Sequence, residues 1–164
     1  MVACNFTTNR MMNDYLDKYY NPLYKRSKAL LKSDGKVARG IAFWKKQLRR
    51  EWPHIEVLSF DKPDSAKGMQ MLGKTYRSEI RLMIGDINPE DIGIELLFAT
   101  QDKKGKYHVE ERFTYRFESL EAGVATYRCN ILPNAAGLYQ VAARMFAKNN
   151  QLPHRQDFEL VKWL

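Results

Sequence analysis

A chain of 164 residues can bury about two-thirds of its unfolded surface, enough for one real core. With 45% apolar residues, 28% charged residues and no uncharged apolar run near the ~18 residues that span a bilayer, the composition excludes both a disordered chain and a transmembrane helix. The net charge of +8 is unevenly placed: residues 1–52 hold 12 Lys or Arg against 4 Asp or Glu, whereas residues 53–164 hold 15 against 15, which predicts two regions with different surroundings.

The first region reads as helical. Thr7 or Thr8 supplies a capping hydroxyl, and Met11, Tyr15 and Tyr19 then fall four apart, with Met12, Leu16, Tyr20 and Leu23 on the neighbouring ridge. Pro22 predicts a kink or break at Asn21. Ser33-Asp34-Gly35 reads as a stop and cap. A further helix runs from about Lys36 to Trp52, with Val37, Ile41, Trp44, Leu48 and Trp52 on one side and Lys45, Lys46, Arg49 and Arg50 on the other; Pro53 ends it.

Beyond Pro53 the period changes from 3.6 to 2. Seven strands are expected: 55–60, 79–84, 92–100, 109–117, 125–131, 138–146 and 158–163. In the fourth, Val109, Phe113, Tyr115 and Phe117 share one face. Asn88-Pro89-Glu90-Asp91 reads as a turn, Asp102–Lys106 and Glu121-Ala122-Gly123 as hairpin tips, and 61–73 as a long polar loop. The expected class is α+β: N-terminal helices (1–53) followed by a seven-stranded antiparallel immunoglobulin-like β-sandwich (54–164).

Chemistry is sparse. His54, His108 and His154 are far apart in sequence and form no metal-ligand pattern with Cys4 or Cys129, so no metal site is expected. Cys129 falls on the apolar face of a strand, as a buried thiol does. Two cysteines 125 residues apart, in a chain that begins without a basic end and an apolar stretch, read as reduced and cytoplasmic. Glu110 and Glu111 point to opposite faces and cannot act as a carboxylate pair. No nucleophile elbow or phosphate-binding glycine loop occurs. The basic helix face at 45–50 favours solvent or an acidic neighbour over nucleic acid, because Trp44 belongs to the apolar stripe. Tyr76 and Tyr107 offer rings that an immunoglobulin-like sugar-binding module would use, which leaves a self-standing carbohydrate-binding module and a basic nucleic-acid-binding domain as rival readings.

The stretch Phe6-Thr7-Thr8-Asn9-Arg10-Met11-Met12-Asn13-Asp14-Tyr15, continued by Tyr19-Tyr20, resembles the last helical stretch of bacterial and archaeal α-glucan (glycogen/maltodextrin) phosphorylases. Trp44-Lys45-Lys46 leading to Trp52-Pro53 resembles the linking helix of that branch. Asn88–Leu96, Gly137–Val141 and Phe158–Trp163 resemble a turn and strands of its C-terminal β domain. The resemblance implies the non-catalytic end of a pyridoxal-phosphate enzyme that moves glucosyl units from α-1,4-glucan to inorganic phosphate, giving glucose 1-phosphate. The motif bearing the pyridoxal lysine does not occur here, so no catalytic, cofactor-binding or metal-binding residue is carried over. What the resemblance assigns is interdomain packing by Arg10, Tyr15, Tyr19, Tyr20, Trp44 and Trp52. The implied partners are the remainder of the phosphorylase chain, α-glucan and, for the severed piece, a second copy of itself. A methionine start leading at once into mid-domain sequence fits a truncated piece.

Overall fold

A computed structural model describes residues 7–62, 73–134, 137 and 139–164. The expected loop at 61–73 therefore lies mostly outside the described residues, as do Cys4, Phe6 and Leu138. The chain divides into two compact units, residues 1–46 and 47–164.

The first unit is helical. Thr7 caps α1 (Thr8–Tyr15), its hydroxyl accepting from the Arg10 amide at 3.3 Å. Residues Leu16–Tyr20 then form one π-helical turn before α2 (Asn21–Glu51). The break expected at Asn21 does not occur, since Asn21 keeps helical angles (φ −62°, ψ −45°). The reason is local: a proline lacks the amide and crowds the carbonyl four residues back, and a widened turn just before it relieves both. Within α2, Lys32–Gly35 leave helical geometry, with Ser33, Asp34 and Gly35 all at positive φ. That is the expected stop. The last turn of α2 belongs to the second unit, where Leu48 and Trp52 are buried at 3% and 6% exposure.

The second unit contains two antiparallel four-stranded sheets. Its strands are β1 (Glu56–Phe60), β2 (Tyr76–Met83), β3 (Ile92–Gln101), β4 (Tyr107–Thr114), β5 (Arg116–Glu121), β6 (Val124–Ile131), β7 (Gln140–Ala147) and β8 (Val161–Trp163). One sheet has the order β1-β2-β6-β5 and the other β4-β3-β7-β8. The described strands number eight, not the expected seven, because the 109–117 segment is two strands in different sheets. Tyr115 is the crossing point. Its amide donates to the Ile94 carbonyl of β3 at 3.0 Å, while its hydroxyl lies 2.7 Å from Ser78 Oγ on β2 of the other sheet. The period-2 pattern runs on through it because Tyr115 points inward on either side of the switch.

Three strands carry an extra residue against their partners: Leu58 on β1, Glu110 on β4 and Glu118 on β5. The bulge at Glu110 reverses the parity of β4, so Val109 pairs with Ala99 and is exposed rather than sharing a face with Phe113 and Tyr115. The turns follow the sequence closely. Asn88 caps a single 3₁₀ turn, and the Asp102 carboxylate accepts from the amides of Lys104 and Lys106 at the β3–β4 hairpin.

The core is made of alternate residues of the central strands. Ile80 and Leu82 of β2, Ile94 and Leu96 of β3, Tyr127 and Ile131 of β6 and Met145 of β7 are all at most 1% exposed. The Tyr127 hydroxyl donates to the Pro89 carbonyl at 2.9 Å, so even the large polar ring is satisfied. Cys129 is buried among these residues, and burial pushes its thiol up to about 11, well away from reactivity. Gly93 on β3 lies flat beneath the Phe146 ring of β7: a Cβ there would sit 2.5 Å from the ring. Gly93→Ala should therefore cost about 1–3 kcal/mol by overpacking. It would be read as a lower urea midpoint at unchanged m-value; an unchanged midpoint would show that Phe146 moves aside freely.

Candidate functional site

Two features stand apart from a simply folded surface, one in each unit. In the helical unit the apolar ridges predicted from periodicity face outward. Tyr15, Tyr19 and Tyr20 are 47%, 57% and 63% exposed, and Met11, Met12, Leu16, Leu23 and Tyr24 are exposed with them. The Tyr15 and Tyr19 rings meet at 5.9 Å, and the Lys28 ammonium lies 4.6 Å above Tyr24. Asp14 links Arg10 and Lys18 by i,i+4 ion pairs at 3.8 and 3.2 Å, a polar rail beside the rings. Exposed apolar faces of this kind are uncommon on soluble monomers. Of the expected packing residues, Arg10, Tyr15, Tyr19 and Tyr20 share this segment, Trp44 lies further along α2 at intermediate exposure, and Trp52 is buried in the second unit.

In the second unit a cleft of about 830 Å³ opens beneath the β4–β5 crossing. Arg112 and Thr114–Phe117 form one wall, Gly93, Glu95 and Phe146 line it from β3 and β7, and Leu152–Arg155 return across it. Glu95 organises this region. Its carboxylate, only 13% exposed, accepts from Arg144 at 2.8 Å and from Arg155 at 2.6 Å. Arg155 is further fixed by a reciprocal cap, the His154 side chain accepting from the Gln156 amide and the Asp157 carboxylate from the His154 amide. The Arg155 guanidinium stacks 5.3 Å from the Phe146 ring, which also meets Gly93. On the adjoining sheet face Arg128 binds both Glu79 and Glu118, and these carboxylates hold its guanidinium firmly charged. Sequence reading gave none of these residues a functional role. The cleft arises only when residues 148–155 fold back.

Other sites named from sequence remain apart. His108 pairs with Asp102 at 3.1 Å on the β3–β4 hairpin, where the Lys106 amide first and then His108 hold the carboxyl below its ordinary range. Among the described residues no group of three metal-ligating side chains converges. Tyr76 is half-buried, and Tyr107 is exposed at the start of the edge strand β4.

Tyr115 gives the cleft wall a measurable signature. Desolvation pushes its phenol up to about 12, against an ordinary value of 10.0. Below pH 10 the folded and unfolded chains hold that proton equally. Between about pH 10 and about 12 the unfolded chain loses it first, so this group's contribution to stability declines as pH rises through that window. Urea midpoints measured at pH 9, 10 and 11 should fall less steeply in Tyr115→Phe than in the parent chain. Equal slopes would show that the hydroxyl is not desolvated.

Comparison with known proteins places these features. The family model for the glycogen phosphorylase C-terminal domain matches residues 52–164. Maltodextrin phosphorylase of Thermococcus litoralis is 26% identical over 168 aligned residues, an alignment that covers 99% of this chain and 19% of that protein. The chain thus spans about a fifth of the length of this curated relative. No solved structure matches. The matched span contains both sheets and the whole cleft, and it exceeds half of the chain. The chain belongs to the glycogen phosphorylase C-terminal domain family.

Proposed function

We propose that the chain is the non-catalytic C-terminal part of an α-glucan phosphorylase, a glycosyltransferase releasing glucose 1-phosphate from α-1,4-glucan with inorganic phosphate, and that its role is structural and interdomain. The observation that carries this reading is the alignment, which runs through the helices as well as the β region yet meets only 19% of maltodextrin phosphorylase. Residues 1–53 are then the end of a catalytic domain plus its linking helix, and residues 54–164 an immunoglobulin-like β domain. The strand orders support the latter: β1-β2-β6-β5 corresponds to the A-B-E-D sheet of a constant-type immunoglobulin domain, and β4-β3-β7-β8 to its C-F-G sheet with a C′ strand added.

In this reading Arg10, Tyr15, Tyr19 and Tyr20 meet the remainder of the phosphorylase chain, and Trp44 packs along the linking helix. Trp52, at 6% exposure, seats the last turn of that helix in the β domain. Rings half exposed in the severed piece would be covered in the parent. Pyridoxal phosphate belongs to the parent and does not fit the described residues: a Schiff-base lysine needs a desolvated pocket, and none of the lysines described is buried. The half-buried Lys162 ammonium is held by the Ile55 carbonyl at 2.9 Å. No helix among the described residues is long and apolar enough to cross a membrane, which is compatible with a cytoplasmic parent.

The test is reconstitution. The purified chain, mixed with a phosphorylase truncated before the corresponding segment, should co-elute with it on gel filtration. Alone, the chain should self-associate in light scattering through the uncovered rings. Tyr15→Ser with Tyr19→Ser should weaken both associations by about tenfold or more while leaving the β unit's melting unchanged, since two half-buried aromatic contacts are worth about 1–2 kcal/mol or more together. A clean monomer that ignores the truncated enzyme but is retained on amylose would sink this reading in favour of the carbohydrate-binding module. A salt-sensitive gel shift with DNA would favour the nucleic-acid binder.

A further inference from the structure

The cleft beneath the β4–β5 crossing has an unbalanced charge inventory. Its lining holds Arg112, Arg116, Lys148 and Arg155 against two carboxylates, Glu90 and Glu95. Both carboxylates are already engaged. Glu95 is shared by Arg155 and by Arg144, and Glu90 lies 3.7 Å from the Lys148 ammonium. The acidic groups of the adjoining sheet face, Glu79 and Glu118, are taken by Arg128. Arg112 and Arg116 therefore make no ion pair or side-chain hydrogen bond among the described residues, and they flank Thr114 on the same wall. Arg116 also sits directly across from Arg128 in the β5–β6 register. The Glu79 and Glu118 carboxylates beside Arg128 balance its charge and leave Arg116 without an ion pair among the described residues.

A neutral sugar would stack on a free ring face, and of the Tyr115, Phe117, Tyr127 and Phe146 rings lining the cleft only Phe117, half-buried and edge-on to Tyr127, is neither buried nor beside a cation. The Phe146 ring meets Gly93 and lies 5.3 Å from the Arg155 guanidinium. Tyr115 and Tyr127 are 5% and 1% exposed, their hydroxyls committed to Ser78 and Pro89. Four of the lining side chains, by contrast, are cationic donors. Because His154 Nδ1 accepts from the Gln156 amide, the proton of its neutral ring sits on Nε2.

We propose that this cleft binds a phosphate-class dianion, with Arg112 and Arg116 as its direct ligands and the Thr114 hydroxyl between them. Free phosphate and a sugar phosphate share the chemistry: each presents three oxygens that two guanidinium forks match in geometry as well as charge. The site is independent of the docking role of the helices and does not stand or fall with it.

The test uses the whole 164-residue chain. Amide shifts are followed during titration with inorganic phosphate, with glucose 1-phosphate and with maltoheptaose, at constant ionic strength set by chloride. The expected result is saturable movement of the Gly93, Thr114 and Arg155 amides with both phosphates. Arg112→Gln with Arg116→Gln should weaken binding by about tenfold or more without changing the unfolding midpoint. Arg112→Lys with Arg116→Lys keeps the charge, loses the forks and should fall between the two. Tighter binding of glucose 1-phosphate identifies a sugar phosphate as the ligand, and equal or tighter binding of inorganic phosphate identifies the free anion. The proposal is overturned if neither anion saturates through the millimolar range, if the glutamine pair binds as well as the parent, or if maltoheptaose moves the same amides more strongly.

Discussion

The second unit depends on a single crossing. At Tyr115 the chain leaves the β4-β3-β7-β8 sheet and enters the other, and this residue bonds to both sides of the change, by its backbone to one and its side chain to the other. Its amide stays with Ile94 of β3 while its hydroxyl reaches Ser78 of β2, a residue only 1% exposed. A buried hydroxyl pair of this kind is costly when half satisfied and directional when complete. It fixes which strand follows β4 and therefore which residues wall the cleft. Arg112, Thr114 and Arg116 line one opening because the chain turns from one sheet to the other between them.

The charge asymmetry of the sequence takes on physical meaning beside the fold. The balanced half folds into two sheets whose exposed faces pair acid with base: Glu79 and Glu118 with Arg128, Glu95 with Arg144 and Arg155, Glu90 with Lys148. The basic third is helical; part of its charge is balanced locally, Arg10 and Lys18 by Asp14 and Arg39 by Asp34, while its rings at Tyr15, Tyr19 and Tyr20 are exposed. The family match begins at residue 52, and the exposed ridge of α1, none of whose residues is buried, lies before it.

Much of this was legible in the residues. The change of period at Pro53, the caps at Thr7 and Asn88, the hairpin at Asp102–Lys106 and the buried Cys129 all rest on local chemistry, which a single sequence carries. What escaped depends on distant partners. The split of 109–117 into two strands is set by Ser78, 37 residues away from Tyr115, and a period of two cannot register a change of sheet. The bulge that turns Val109 outward is defined only against Phe98 and Ala99. Pro22 was read correctly as an obstacle but not as one absorbed by a π turn, since the sequence does not say which side yields. The cleft was invisible because each of its arginines, taken alone, looks like any exposed strand residue. The role of Glu95 emerges only when Arg144 and Arg155 close on it from 49 and 60 residues away.

The placement of the bulges has one more consequence. Two open sheets present four outer strands, and each outer strand is spoiled as a template: β1, β4 and β5 by an inserted residue, β8 by having only three residues. An irregular or very short border cannot zip onto a neighbour's backbone, so growth of a cross-β fibril from these borders is blocked at every side. Aggregates of this chain should therefore be soluble and helix-mediated, with no amyloid-type dye binding.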